Sequence, residues 1–192
     1  ENQKDIYYIS AETRSQALAS PHLEGFKSKN IPVLIMTDAI DQFWLPMIGS
    51  FKDKKFTSIT QGQINLDDLD EKNKDKKSKN KDQKEKQDKE FVDLIAQMKV
   101  VLGEQVKDIR LSSKLTDSPV CLVADDGDMD IAMEQLMAQR DTNYKGAPRI
   151  LEINGDHSLI KNMKSLLSKK ENNDLVSDAG TLLFEQARLL EG

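Results

Sequence analysis

The sequence predicts a small α/β unit followed by an α+β unit with its own small sheet and terminal helices. Three observations predict it. Short β-rich apolar runs alternate with helical patterns over residues 1 to about 66. A stretch from 67 to 90 carries almost no apolar side chains. Beyond it the signals resume in the order α, β, β, α, β, α, α. At 192 residues the chain has room for one or two domains.

In the first unit, "DIYYIS" (5–10) and "IPVLIM" (31–36) are short, apolar and rich in β-formers, which suits buried strands. Between them Thr13 is placed to cap "RSQALA". Ser20 followed by Pro21 makes an N-cap and first-turn pair for "HLEGFKSK". Asn30 and Pro32 mark the stop. Strand, helix and strand within about 30 residues form a βαβ unit, which favours parallel strands and a right-handed crossover. Asp38 is the expected cap of a helix through "AIDQFWLPMIGSF", which Pro46 should kink or shorten. "KFTSIT" (55–60) reads as a further strand. The stretch "DDLDEKNKDKKSKNKDQKEKQDKE" (67–90) buries too little to offset its ordering entropy. It reads as a solvated linker, helical toward its end through Lys–acid pairs.

In the second unit, apolar residues at 91, 94, 95, 98, 101 and 102 trace a helical stripe ended by Gly103. "VKDIRLS" (106–112) and "PVCLVA" (119–124) look like strands joined by "SKLTDS", and "PRILEIN" (148–154) is another. Asp128 is the expected cap of a helix through "MDIAMEQLMAQR" (129–140). Asp156 and Asp174 are the expected caps of two terminal helices.

Much chemistry is excluded. A formal charge of −5 argues against a nucleic-acid binder, which needs clustered excess cation. No apolar run approaches the roughly 20 residues needed to cross a bilayer. Two histidines and one cysteine cannot build a conventional zinc site without several carboxylates. Phosphate-binding glycine loops and a nucleophile elbow are missing. Cys121, inside "PVCLV", reads as a buried inert thiol; being alone, it fits a reducing compartment. The acid cluster "ADDGDMD" (124–130) lacks the spacing of a calcium loop. Asp156 beside His157 is more simply a helix start than a catalytic pair. The chain opens almost directly in a strand, without an initiating methionine, and reads as a piece of a longer protein.

Three apolar surfaces stand out. Met129, Met133 and Met137, spaced by four, drift only about 80° in total around a helix, with Leu136 beside them. Such a stripe ordinarily faces a core, yet flexible thioethers also suit surfaces that must fit many partners. Adjacent Phe43 and Trp44 point about 100° apart, so one neighbour can hardly bury both. On the last helix Leu175, Ala179, Leu182, Leu183 and Leu190 fall near one face, widened by Val176 and Ala187. Each leucine fully buried there would contribute roughly 1.5–3 kcal/mol.

Three stretches carry a family resemblance. "YYISAETRSQALASPHLEGFKSKNIPVLIMTDAIDQF", "VLGEQVKDIRLSSKLTDSPV" and "RILEINGDHSLI" resemble, in this order, segments of the heat shock protein 90 chaperones, with the bacterial branch most similar. The resemblance covers nearly the whole chain except the charged stretch. Gly155 and Ser158 stand where the family usually has proline, which implies a looser turn.

By that resemblance, residues 1–66 are the small α/β/α end of the family's middle domain, 67–90 a charged linker, and 91–192 most of the C-terminal dimerisation domain, lacking its last helix. The full-length protein would be a cytoplasmic, ATP-driven homodimer using ATP and magnesium, with the ATP pocket outside this chain. The piece itself would be catalytically silent and hold no cofactor. Met129, Met133, Leu136 and Met137 would correspond to a mobile amphipathic helix that contacts unfolded clients, with Phe43 and Trp44 a second contact. The residues of the last helix would form a weakened dimer seam, giving a monomer–dimer equilibrium. Two readings compete with client binding: a purely structural dimerisation scaffold, and a small enzyme using Asp156–His157 or Cys121.

Overall fold

The computed structural model describes residues 3, 5–66, 77–141, 144, 146–167 and 172–191, without the side chains of 77–88. The strand β1 (Asp5–Ser10) is the centre of a four-stranded mixed sheet of order β2-β1-β4-β3. It pairs in parallel with β2 (Val33–Met36) and with β4 (Lys54–Ser58). A two-residue edge strand, β3 (Ser50–Phe51), not expected from the sequence, pairs antiparallel with β4.

The β1–β2 crossover contains α1 (Arg14–Ala19), a 3-10 turn (Pro21–Leu23) and α2 (Glu24–Ser28). Thr13 caps α1 through a full capping box with Gln16, and Ser20 Oγ accepts the His22 N–H. Asn30, in the left-handed region at φ 53°, ends the segment as expected. The next helix, α3 (Asp41–Ile48), starts later than predicted, and Asp38 is not its cap. Instead the Asp41 carboxylate accepts the Asp38 N–H at 3.2 Å, within the turn.

The second sheet has order β5-β7-β6, from β5 (Val106–Leu111), β6 (Val120–Val123) and β7 (Arg149–Ile153). Although β5 and β6 follow one another, they do not pair. The strand β7 inserts between them, parallel to β5 and antiparallel to β6. One face of this sheet packs on α4 (Lys77–Leu102), α6 (Ser158–Leu167) and α7 (Asn173–Glu191). Phe91, Leu94, Met98, Ile109, Leu151, Ile160, Leu183 and Phe184 share that core. The helix α4 begins well inside the charged stretch, and Gly103 (φ 51°) ends it as predicted.

Three capping expectations in this half are corrected. The helix α5 (Ile131–Arg140) is capped by Asp130, not Asp128, whose carboxylate is held by Lys107. At α6 the Leu159 N–H donates to His157 Nδ1, while Asp156 pairs with Lys161. The helix α7 begins at Asn173, one residue before the expected cap Asp174. Gly155 is buried, and a Cβ there would stand 3.1 Å from the Phe91 ring, tight enough that the ring would have to give by a few tenths of an ångström.

The first unit has its own core around Tyr7, Ile9, Ala17, Leu23, Phe26 and Ile59. The two apolar clusters share no residue. Many polar contacts join the units.

Candidate functional site

The junction is built from the far face of the second sheet. Arg110, Cys121 and Glu152 are register partners across β5, β7 and β6, so they share one face, opposite the helices. Glu152 is almost fully buried. Its carboxylate accepts from Arg110 Nε (3.1 Å) and Nη2 (2.8 Å) and from Ser112 Oγ (2.9 Å). Lys114, 1% exposed, lies 3.8 Å from it and donates to the Ile59 carbonyl at 2.8 Å. Burial pushes the Glu152 carboxyl up, but the Lys114 and Arg110 charges and the hydrogen bonds outweigh it and hold it below its ordinary value. Arg110 Nη2 also donates to the Gly62 carbonyl at 2.8 Å.

Segment 58–66 is thus stitched to the second unit. Gln61 bridges in parallel to Ala124, and its side chain donates to the Asp128 carbonyl at 2.7 Å. Asp130 caps α5 through Oδ1 to the Ala132 N–H, and through Oδ2 accepts from Ser58 Oγ (2.5 Å) and Thr60 Oγ1 (2.8 Å). Burial, with the Asp130 charge adding, pushes the Tyr8 phenol up to about 12.

On this platform α5 turns Ile131 and Glu134 inward. Glu134 is buried and accepts from Arg149 (3.0 Å) and the Ala147 N–H (3.1 Å). Met133, Leu136 and Met137 are half-buried and belong to neither apolar core. Met129, 40% exposed, precedes the helix and so lies off the predicted stripe. A groove of about 240 Å³ runs beside Leu136, with Gln135 and Gln139 of α5 on one wall and Thr37, Ala39 and Gln42 on the other.

Phe43 and Trp44 are both half-buried. Trp44 Nε1 donates to Asp41 Oδ1 at 2.7 Å, and its ring meets Phe56 edge-on at 6.1 Å. The exposed apolar groups nearby are ones the sequence did not single out: Ile40, Met47 (85% exposed), Ile48 and Phe51. Ile40, Trp44, Met47 and Ile48 follow the i, i+4, i+7, i+8 spacing of one helix stripe, a signal Pro46 obscured.

The predicted seam on α7 divides. Val176, Leu183 and Ala187 are buried in the chain's own core, and Ala179 packs against it. Leu175, Leu182 (71%) and Leu190 remain exposed, together with the unpredicted Leu189 (83%).

Burial pushes the Cys121 thiol well up, and Asp156 and His157 are engaged at the start of α6. Among the described residues no cluster of His, Cys, Asp or Glu could hold a metal ion, and no helix is long and apolar enough to cross a membrane.

Two mixed α/β units are held together through polar contacts, and several apolar side chains stay uncovered. The family model described as Hsp90 protein matches residues 1–192. The chain is 41% identical over 194 residues to the chaperone protein HtpG of Roseobacter denitrificans, covering 100% of this chain and 31% of that protein. It is 38% identical to HtpG of Wolbachia pipientis wMel (99% and 29% covered) and 36% identical to HtpG of Streptomyces coelicolor (100% and 29%). The chain belongs to the Hsp90 family of chaperones and spans roughly three-tenths of the length of these curated relatives.

Proposed function

We propose that this chain is the client-contacting and dimerising portion of an ATP-driven, homodimeric, cytoplasmic chaperone. In this reading residues 1–66 are the end of the middle domain, 67–90 a charged linker, and 91–192 the C-terminal dimerisation domain. ATP and magnesium act in another part of the full-length protein, and this portion does no catalysis. Unfolded or partly folded polypeptides are held by Met133, Leu136 and Met137, with Met129 at the helix entrance, and by the ridge of Phe43, Trp44 and Met47. The outer leucines of α7, Leu175, Leu182, Leu189 and Leu190, meet a second copy.

The observation that carries the reading is that the α5 methionines belong to neither apolar core. Partly exposed thioethers on a helix anchored by Ile131 and Glu134 suit a surface that adapts to varied apolar partners. Replacing Met133 and Met137 with serine should weaken suppression of aggregation of a chemically unfolded test protein by at least about threefold. Because neither side chain is deeply buried, the thermal midpoint should fall by no more than about 4 °C. Unchanged suppression by a folded double variant would leave the purely structural scaffold as the better account.

A further inference from the structure

Glu24, the first residue of α2, extends its carboxylate out of its own unit into loop 116–118 of the other. The Thr116 and Asp117 N–H groups each donate to Oε2 at 2.8 Å. The Ser118 N–H is shared between the two oxygens at 3.1 Å, and Ser118 Oγ donates to Oε1 at 2.5 Å. Three successive backbone N–H groups converging on one anion form a nest, the concavity that proteins use for carboxylates and phosphates. The next residue explains how α2 comes so close. A Cβ at Gly25 would stand 2.5 Å from the Lys114 carbonyl oxygen and 2.9 Å from its Cα. Only glycine lets α2 lie against this loop.

Neither apolar core runs across the boundary, and this contact is made of hydrogen bonds to one carboxylate. Polar interfaces of this kind separate more readily than apolar ones. The contact also has the asymmetry of a bolt and socket. One flexible side chain supplies every acceptor, and a fixed loop supplies every donor. Water or another anion could satisfy the donors once the carboxylate leaves.

We propose that Glu24 and the 116–118 nest form a releasable latch between the two units, and that the vacated nest binds a small oxyanion in place of the carboxylate. Glu24 is a positioning residue: it touches no client and acts by fixing the angle between the two units.

Amide hydrogen exchange on the full chain tests this. Glu24→Gln keeps the shape but removes the charge, and Gly25→Ala wedges α2 away while leaving the carboxylate intact. Both should speed exchange at Thr116, Asp117 and Ser118 by about tenfold or more, the scale of losing a charged hydrogen bond. Amides of β7 at Leu151–Ile153, deep in the second core, should keep their wild-type rates. In Glu24→Ala, added acetate should restore protection at 116–118, whereas equal ionic strength of chloride should not. Unchanged exchange at 116–118 in both Glu24→Gln and Gly25→Ala would overturn the latch. So would equal acceleration at 116–118 and β7, which would make Glu24 part of one cooperative fold. Equal rescue by chloride and acetate would overturn the oxyanion nest.

Discussion

The helices α5 and α7 both carry apolar stripes at helical spacing, yet the fold treats them differently. The stripe of α7 is split lengthwise. Val176, Leu183 and Ala187 are sealed against α4 and the sheet, while Leu175, Leu182 and Leu189 face outward. The stripe of α5 lies half-buried beside a groove, and the helix is held by a capping aspartate, a buried glutamate and one isoleucine. Spacing shows that a helix has an apolar face; the neighbour decides whether it is covered. For α7 the neighbour is α4, whose Met98 reaches within 3.5 Å of where a Cβ on Gly180 would stand. For α5 the neighbours are the polar groups of the seam.

The sharpest way to break this comparison is on α7. Leu183→Ala would open a cavity in the main core and should cost about 2–5 kcal/mol in chemical denaturation. The neighbouring change Leu182→Ala should stay within about 0.5 kcal/mol. Equal costs would mean that both faces of α7 are covered.

The next effect is on α5. Asp130→Ala removes the N-cap and the acceptor for Ser58 and Thr60 together, and should cost about 1–2 kcal/mol. The loss should be partly recovered in Asp130→Asn, which keeps a capping oxygen. A loss no larger than that of a surface substitution would show that the seam does not hold this helix.

How much of this was legible in the sequence follows the same division. The strands at 5–10 and 106–111 and the capping box at Thr13 are local, and their residue patterns announce them. The cap at Asp128 differs because a run of acids offers several equivalent candidates and tertiary partners choose among them, whereas at α6 the His157 imidazole, not an acid, takes the Leu159 N–H. Lys107 engages Asp125 and Asp128, which leaves Asp130 for the helix. The seam was invisible because its members lie far apart in sequence, by 94 residues in the Glu24–Ser118 contact and by 169 in that of His22 with Glu191. One clue was present: Glu152 interrupts the apolar run "RILEI", and a carboxylate inside a strand needs buried partners. The ridge of Ile40, Met47 and Ile48 did not stand out because Pro46 masked its helical spacing.

Acid should separate the two regions further. Burial raises the Glu24 carboxyl, but the hydrogen bonds from Ser118 Oγ and the 116–118 amides outweigh it, so its net shift is downward. Glu152 shifts the same way. A carboxylate whose folded value is lowered stabilises the fold above its ordinary value of 4.5, and that contribution is lost as pH falls through the lowered folded value. Below about pH 4.5, amides of 116–118 and 60–62 should lose protection before those of α7 around Leu183, whose packing is apolar. Simultaneous loss would show that the seam has no stability of its own to lose. Glu24 is largely solvent-screened, so the early loss should be modest.

The smallest expected effect on stability carries the most information about assembly. Leu182→Ser and Leu189→Ser alter side chains that touch neither core, so the double variant should unfold within about 1 kcal/mol of the wild type. Leu175, Leu182 and Leu189 are spaced by seven, the repeat that keeps a helical seam facing a partner helix. If that seam meets a second copy, sedimentation should show the double variant monomeric at concentrations where the wild type self-associates. The same pair of changes on the inner face, at Val176 and Leu183, would unfold the protomer before its association could be measured. The outer leucines are therefore where stability and assembly separate, and an unchanged association constant in the folded double variant would remove α7 from the dimer.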